Sequence, residues 1–554
     1  MRDIDRLTSE RYAIPSLTLM ENAAIATARV TRDFLHGDPA GKSILCLCGK
    51  GNNGGDGAAA ARLLAIAGAR ADVVLFGRVD DMKGDARENF QRIQKWHESI
   101  AHEAEPTGAV NLFECESEKG WEQLVTGLLA TPYEAIIDAL FGTGLTRPVD
   151  GIYREVVAYL NRVRKQRDKT ADAIPAIISV DLPSGLNADC EKPIGDAVRA
   201  DATVTMTAPK RANVLPPACN YNGRLTVADI GSPQELVAEA GSQLLVTQAD
   251  DARSWLMETR YLSGSYKNSH GHALIIAGSR GYTGAAALCG NAAMRSGAGL
   301  VTVATPVSAQ PVVASLVVPE VMTTALAETD RGAVSDEAIN HVWKLSAKAD
   351  VIAVGPGLSA EDDRTRAFVR TLAQQRRTPL VIDADGLNCL APWPSLLQGA
   401  ADLPLVLTPH PGEMLRLIGA SDKTVVEDSV DCARDFAVKQ QVILVLKGAR
   451  TVVAAPDGRV AINPTGNPGL GTAGSGDTLT GVITGFLAQA RGTLRDQMDA
   501  FETVTAAVYI SGLAGDLAAQ ESGMRAMLAT DIREHLSGAF RLLDPQGESP
   551  DAFA

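Results

Sequence analysis

The stretch Gly471-Thr472-Ala473-Gly474-Ser475-Gly476-Asp477, with the apolar run Leu479 to Leu487 directly behind it, carries more information than any other in the chain. Its glycines let backbone N–H groups turn inward, where no Cβ obstructs a ligand. A helix starting behind them aims the positive end of its dipole at the same spot. An anion, phosphate above all, fits there. Asp477 is then conspicuous, because a carboxylate repels an anion unless it has chemical work. On the heptapeptide alone two readings stand level: Asp477 caps the helix, or it is a catalytic base.

The segments upstream tip the balance. His272 to Ala277, Leu300 to Ala304, Val351 to Val354, Pro379 to Ile382, Leu405 to Leu407 and Val442 to Leu446 read as short buried strands. Polar signatures follow them: Gly355-Pro356-Gly357, Asp383 to Asn388, Thr408-Pro409-His410-Pro411-Gly412-Glu413, and Lys447-Gly448. Ligands of open α/β sheets bind outside such carboxyl ends. Lys447 can neutralise phosphate charge, and Thr451 opens the next strand. A lone histidine is more often structural, but His410, flanked as it is at a strand end, is expected to touch ligand. No G-x-x-x-x-G-K-[ST] occurs, which excludes a P-loop mechanism. With Gly357, His410 and Lys447 converging, Asp477 reads as a base.

At 554 residues, two domains or more are expected. A 45% hydrophobic, 21% charged composition is that of a soluble globular protein, and a net charge of −14 argues against a general nucleic-acid binder. No uninterrupted run reaches membrane-span length, and Met1-Arg2-Asp3-Ile4-Asp5-Arg6 has no apolar signal core. The eight cysteines are scattered. Cys46 and Cys48 share a strand face without a second cluster, so buried thiols and a reducing, cytoplasmic compartment are expected.

In the first half, Ile14 to Val30 reads as a loop and a helix. Ser43 to Cys48 is a buried parallel strand running into Gly49-Lys50-Gly51-Asn52-Asn53-Gly54-Gly55-Asp56-Gly57, followed by a helix over Ala58 to Ala67. This contains G-x-G-x-x-G, but the next strand, Ala71 to Phe76, ends in Gly77-Arg78 rather than an acidic ribose-binding residue. The polar Asn52, Asn53 and Asp56 point to a substrate or ion site. Tyr133 to Leu140 and Pro175 to Val180 are further strands, ending in Phe141 to Pro148 and in Asp181-Leu182-Pro183-Ser184-Gly185. Asp138 and Asp181 either form turns or join Asn53 and Ser184 in one crevice, and three converging loops favour the crevice. After Ile230-Gly231 the composition shifts, and Gln234 to Asp251 shows no strong core pattern. The boundary is placed near Gly241, giving domains 1–240 and 241–554, both three-layer α/β.

Gly49 to Gly57, the Gly142 to Pro148 loop and the Asp181 to Gly185 turn, with Leu19-Met20-Glu21-Asn22-Ala23 upstream, resemble the YjeF N-terminal family, the NAD(P)H-hydrate epimerases. The resemblance implies a Rossmann-like domain. It also implies that Asn53, Asp138 and Ser184 hold a potassium ion, and that Asn52, Asn53, Gly54, Gly55, Asp56, Gly142, Thr143, Gly144, Leu145, Thr146, Arg147, Pro148 and Asp181 contact a hydrated nicotinamide nucleotide. Gly-x-x-Gly-x-Gly-Asp resembles the ribokinase-like superfamily. His272 to Gly284, Arg295 to Val303, Thr408 to Glu413 and Asn463 to Gly469 resemble, more narrowly, the YjeF C-terminal family of ADP- or ATP-dependent NAD(P)H-hydrate dehydratases. Only the join and the tail from Asp544 fall outside these likenesses. Gly386 stands where that family often has Ala.

The two likenesses together imply a chain that dehydrates the hydrate by phosphorylating its hydroxyl, Asp477 taking the proton, and then losing phosphate. Gly357, His410 and Asp477 would hold the hydrate. Lys447, Gly448, Ala449, Arg450, Thr451 and Gly476 would hold the adenine nucleotide with Mg²⁺, ADP being the donor in most bacterial members. The first domain would interconvert the two hydrate epimers, with Asp181 as acid/base. Small-molecule partners (the hydrates of NADH and NADPH, and ADP or ATP) and a homo-oligomer are expected, with neither nucleic acid nor membrane. The rivals are a ribokinase-like kinase of a vitamin or sugar alcohol, which leaves the first half unexplained, and a nucleotide-binding regulator without turnover, which Asp477 beside a complete glycine loop disfavours.

Overall fold

The structure is a computed structural model that describes residues 2–96, 108–127, 132–170 and 175–544. The tail 545–554 lies outside them. The chain forms two compact units, up to Ser242 and from Gln243.

In the first unit the strands are β1 Ser43–Cys48, β2 Arg70–Leu75, β3 Ala109–Glu114, β4 Ala135–Ala139, β5 Ala176–Val180, β6 Ala202–Met206 and β7 Arg224–Ala228. They lie in the order β3-β2-β1-β4-β5-β6-β7, all parallel. Alternation along β1 feeds both faces. Ile44, Cys46 and Cys48 join an apolar cluster with the helices Ser16–Phe34, Asn52–Ile66 and Gly84–Gln94. Leu45 and Leu47 join one with Trp121 and with Val156, Val157 and Leu160 of the helix Gly151–Thr170. The order reverses between β1 and β4, where an open sheet leaves its crevice.

The second unit carries β8 Leu244–Val246, β9 His272–Ile276, β10 Leu300–Pro306, β11 Met322–Leu326, β12 Val351–Val354, β13 Leu380–Ile382, β14 Leu405–Leu407, β15 Ile443–Leu446, β16 Val452–Ala454 and β17 Val460–Ile462. The order is β11-β10-β9-β12-β13-β14-β15-β16-β17-β8. Only β15/β16 and β16/β17 pair antiparallel. On one face Ala273, Ile275, Val301, Val303, Val351 and Ala353 pack with Cys289 and Ala292 of the helix Thr283–Arg295 and with Val482 and Phe486 of the helix Ser475–Leu494. Trp255 stacks on Phe486 with ring centroids 4.1 Å apart. The alternate residues Leu274, Ile276, Ile352, Val354, Leu380 and Ile382 are equally buried. Among the described residues no helix is long and apolar enough to cross a membrane.

Two expectations of irregular chain give way to regular structure. The stretch Asn52 to Gly57 is the opening of the helix Asn52–Ile66, not loop. Its residues are poor helix formers, but close packing overrides them. A Cβ on Gly57 would lie 2.5 Å from Ala139 Cβ, and one on Gly54 1.9 Å from the Gly49 carbonyl oxygen. The join, read as lacking a core pattern, holds β8, which pairs in parallel with β17 at the sheet edge.

The contact between the helices Thr283–Arg295 and Ser475–Leu494 depends on Gly481, where a Cβ would stand 2.2 Å from the Cys289 carbonyl oxygen. Gly481→Ala is expected to destabilise the second unit by about 1–3 kcal/mol. Denaturant unfolding followed by Trp255 fluorescence measures it, the midpoint falling.

Candidate active sites

The crevice of the second unit is built on the carboxyl ends of β9, β12, β13, β14 and β15. Gly474 adopts φ +86, which a non-glycine residue rarely takes, and the helix begins at Ser475. Asp477 is therefore the third helical residue. Gly474 occupies the N-cap, with no side-chain cap bond, so the capping reading fails. Asp477 sits half-buried at the positive helix end. Burial first, then the charges of Asp383, Asp385 and Glu413, raise its carboxyl to about 6, against the lowering pull of Lys447.

Lys447 holds the centre of this charge cluster. Its Nζ donates to Asp383 Oδ1 at 2.8 Å and stands 3.8 Å from Glu413 Oε2. Asp383 is 1% exposed, and its second oxygen accepts from Thr480 Oγ1 at 2.6 Å, on the glycine-loop helix. Burial opposes the charge on Lys447, but Asp383 and Glu413 outweigh it and raise the lysine. A Cβ on Gly476 would stand 3.4 Å from Nζ, which places the lysine beside the helix end.

Gly357, at φ +61, packs against Tyr282, and its carbonyl accepts from Ser279 Oγ at 2.8 Å. The ends of β9 and β12, where this sheet reverses order, are thereby tied together. Lys447 to Thr451 form the turn between β15 and β16. Arg450 there donates to the Pro464 carbonyl, and Thr451 Oγ1 to the Gly448 carbonyl at 3.4 Å. His410 has a structural duty: its Nδ1 accepts from the Gly412 amide at 3.0 Å, capping the helix Pro411–Ile418. Its ring is still half exposed.

In the first unit the three loops meet at the β1/β4 reversal. A Cβ on Gly142 would lie 2.8 Å from Asp181 Oδ2 and 3.2 Å from Asn53 Oδ1, so only glycine lets these side chains close on each other. The Thr143 amide donates to Asp181 Oδ2 at 3.2 Å. Behind them Asp138 is fully buried. It accepts from Ser184 Oγ (2.6 Å), the Ser184 amide (2.9 Å) and Ser179 Oγ (2.8 Å), while Ser184 Oγ accepts from the Phe141 amide at 3.1 Å. Burial raises the Asp138 carboxyl, and the serine hydrogen bonds restrain it.

Asp138 and Ser184 are hydrogen-bonded to each other, and Asn53 lies beside Gly142, next to the Phe141 amide that Ser184 accepts from. The Asn53 Nδ2 is buried without a partner, and among the described residues no cation pairs with Asp138. A buried carboxylate with hard oxygen neighbours and no counter-charge fits a monovalent cation. Gly54 and Gly55 are buried in packing, and Leu145 turns its side chain into the core, so these offer backbone alone. Thr146, Arg147 and Pro148 are exposed. The sequence reading missed Lys210, which pairs with Asp181 from the end of β6. It also left out Asp383 and Thr480, although the Asp383 motif was visible.

The comparisons match each of the two units. A family model described as YjeF-related protein N-terminus matches residues 16–212, and one described as NAD(P)H-hydrate dehydratase matches residues 273–537. A bifunctional NAD(P)H-hydrate repair enzyme of Moorella thermoacetica is 40% identical over 550 residues, covering 99% of this chain and 97% of its own. The enzyme of that name from Escherichia coli is 30% identical, covering 98% and 93%. Among solved structures, an ADP/ATP-dependent NAD(P)H-hydrate dehydratase from Bacillus subtilis, co-crystallised with ATP/Mg²⁺, is 30% identical over 54% of this chain and 98% of its own, with a TM-score of 0.45. With relatives matching end to end and each unit carrying its own crevice, the chain belongs to the family of bifunctional NAD(P)H-hydrate repair enzymes.

Proposed function

We propose that the two crevices work on one damaged metabolite, the hydrate of NADH or NADPH, the first interconverting its epimers and the second returning one of them to the reduced nucleotide. The observation that carries this reading is the end-to-end likeness to the Moorella relative, which spans both crevices on a single chain. A vitamin or sugar kinase would need only the second.

In the second crevice the hydrate hydroxyl is placed against Asp477. The raised carboxyl accepts the hydroxyl proton as the oxygen attacks the terminal phosphoryl group of the adenine nucleotide. The Gly474–Gly476 amides and the helix end stabilise the charge on the transferring group. Lys447, fixed by Asp383, meets the phosphates, with Gly448 to Thr451 along the nucleotide. The ring-nitrogen lone pair then expels phosphate, and loss of a proton from the neighbouring ring carbon restores the dihydropyridine double bond. Gly357 and His410 line the hydrate side.

Asp383, Asp385, Glu413 and Asp477 supply hard oxygens that fit Mg²⁺. The ion would be shared between these carboxylates, the nucleotide's phosphates and water. Such an ion would neutralise phosphate charge. ADP as donor, potassium at Asn53, Asp138 and Ser184, homo-oligomeric assembly and a cytoplasmic location complete the reading.

Mixing the protein with hydrated NADH, Mg²⁺ and ADP or ATP is expected to restore reduced-nicotinamide absorbance, and no recovery with either nucleotide removes the dehydratase reading. Asp477→Asn is expected to lower kcat by about 10²–10⁴-fold. Because the base works ionised and its carboxyl lies at about 6, the dehydratase rate should climb as pH rises through about 6 and level off above it. A stopped rate series from pH 5 to 8 reads this directly. Asn53→Ala is expected to weaken potassium's effect on epimerisation and on the first unit's melting temperature; an unchanged potassium response removes Asn53 from the ion site.

A further inference from the structure

The first crevice holds a lysine that no resemblance assigned to it. Lys210 follows β6, and its Nζ donates to Asp181 Oδ1 at 2.5 Å, to Thr205 Oγ1 at 2.8 Å and to the Met206 carbonyl at 3.1 Å. All three ammonium protons are engaged, and the side chain is 7% exposed. A lysine so saturated does not shuttle protons. It fixes its partner: Asp181 is gripped on one oxygen by Lys210 and Thr205, and on the other by the Thr143 amide. The Asp181 backbone sits at φ +66, a conformation costing a non-glycine residue of the order of 1 kcal/mol or more, kept where surrounding bonds over-determine it.

Asp56 is the opposite case. It projects from the helix Asn52–Ile66, half-buried, and makes no hydrogen bond to the protein among the described residues. The groups that face it are the Asp181 and Asp5 carboxyls and the Cys48 thiol, with Lys210 beyond them beside Asp5 and Asp181. Asp5 comes from the helix Arg2–Tyr12, and its Oδ1 is itself buried without a partner.

We propose that Lys210 is the positioning residue of the epimerase crevice, pinning the Asp181 carboxylate as proton acceptor and leaving the unpartnered Asp56 carboxyl as proton donor. The proposal rests on the epimerase reading above. Asp56 gives its proton to the hydrate hydroxyl. The carbon–oxygen bond breaks, its electron pair leaves with water, and the ring-nitrogen lone pair forms a C=N bond. The ring cation faces the Asp181 anion. Water then adds to the opposite face, the C=N pair returns to nitrogen, and the surplus proton passes to Asp181. Exchange through solvent carries one proton from Asp181 back to Asp56, so nothing is oxidised or consumed. Burial, reinforced by Asp181 and Asp5, raises the Asp56 carboxyl well above the ordinary range, which keeps the donor form available towards neutral pH.

The test uses the full chain and a purified epimer of hydrated NADH, following its conversion to the other epimer by chromatography. Circular dichroism and the first unit's melting temperature report that this unit is folded, and the dehydratase rate on the same preparation normalises the amount of chain. Asp56→Asn is expected to lose about 10²-fold or more in epimerisation kcat with KM within a few-fold, and with it the fall in rate at high pH. Lys210→Met should lose a comparable factor in kcat, and Lys210→Arg should recover part of it by restoring the charge. Epimerisation at the wild-type rate in either Lys210→Met or Asp56→Asn overturns the assignment. So does an equal rise of KM in place of a fall in kcat, or a folded Lys210→Arg no better than Lys210→Met. Should Lys210→Met fail to fold by circular dichroism, the Asp56→Asn result decides. A wild-type chain that does not speed epimer exchange refutes the epimerase reading itself, a separate outcome.

Discussion

Parallel sheets covered on both faces govern this molecule. Strands such as β1, β9 and β12 have no solvent-facing side, so they are mostly apolar, and the polar groups of the crevices collect towards their carboxyl ends. Right-handed crossovers put all those ends on one edge, and the reversal of strand order opens a gap there. Asn53, Gly142 and Asp181 in one unit, and Gly357, Asp383 and Lys447 in the other, are gathered by this single restriction. Functional side chains distant in sequence meet because the carboxyl ends of the strands bring them to one side of the sheet.

The two crevices share an electrostatic plan. Each sets one nearly buried lysine among several carboxylates and ties it to one of them: Lys210 to Asp181, Lys447 to Asp383. The tied carboxylate is a fixed anion, while the remaining ones sit in a desolvated, negatively biased space that raises Asp56 and Asp477. Such pairs add little net stability, since desolvation offsets much of the attraction. Their effect is to separate the roles of chemically identical groups. In one unit a carboxyl retains a proton to give, and in the other a carboxylate stays basic enough to take one.

Much of this was legible in the chain. The apolar runs β1, β4, β5, β9 and β12 to β15 are short and give way to glycine, proline or charged residues, and the polar motifs at their ends stood out for that reason. β6, Ala202–Met206, was not legible, because Thr203 and Thr205 break its apolar run, although both are fully buried. Without β6, Lys210 had no strand end to belong to. The helix Asn52–Ile66 was read too short because propensity argues against Asn-Asn-Gly-Gly, whereas the deciding fact, contact of Gly57 with Ala139, lies 82 positions away. His410 looked like a ligand contact from its flanks, and only the structure reveals its bond to the Gly412 amide.

The edge pairing of β8 with β17 sets a schedule for synthesis. Leu244 to Val246 leave the ribosome more than two hundred residues before Val460 to Ile462, their partners. Until then the nascent second unit lacks its outer strand, and Trp255, just beyond β8, lacks Phe486 to stack upon. A contact of such sequence separation is slow to form and leaves apolar surface waiting. The first unit has every one of its strands in hand by Ala228 and can close while the second is still being made.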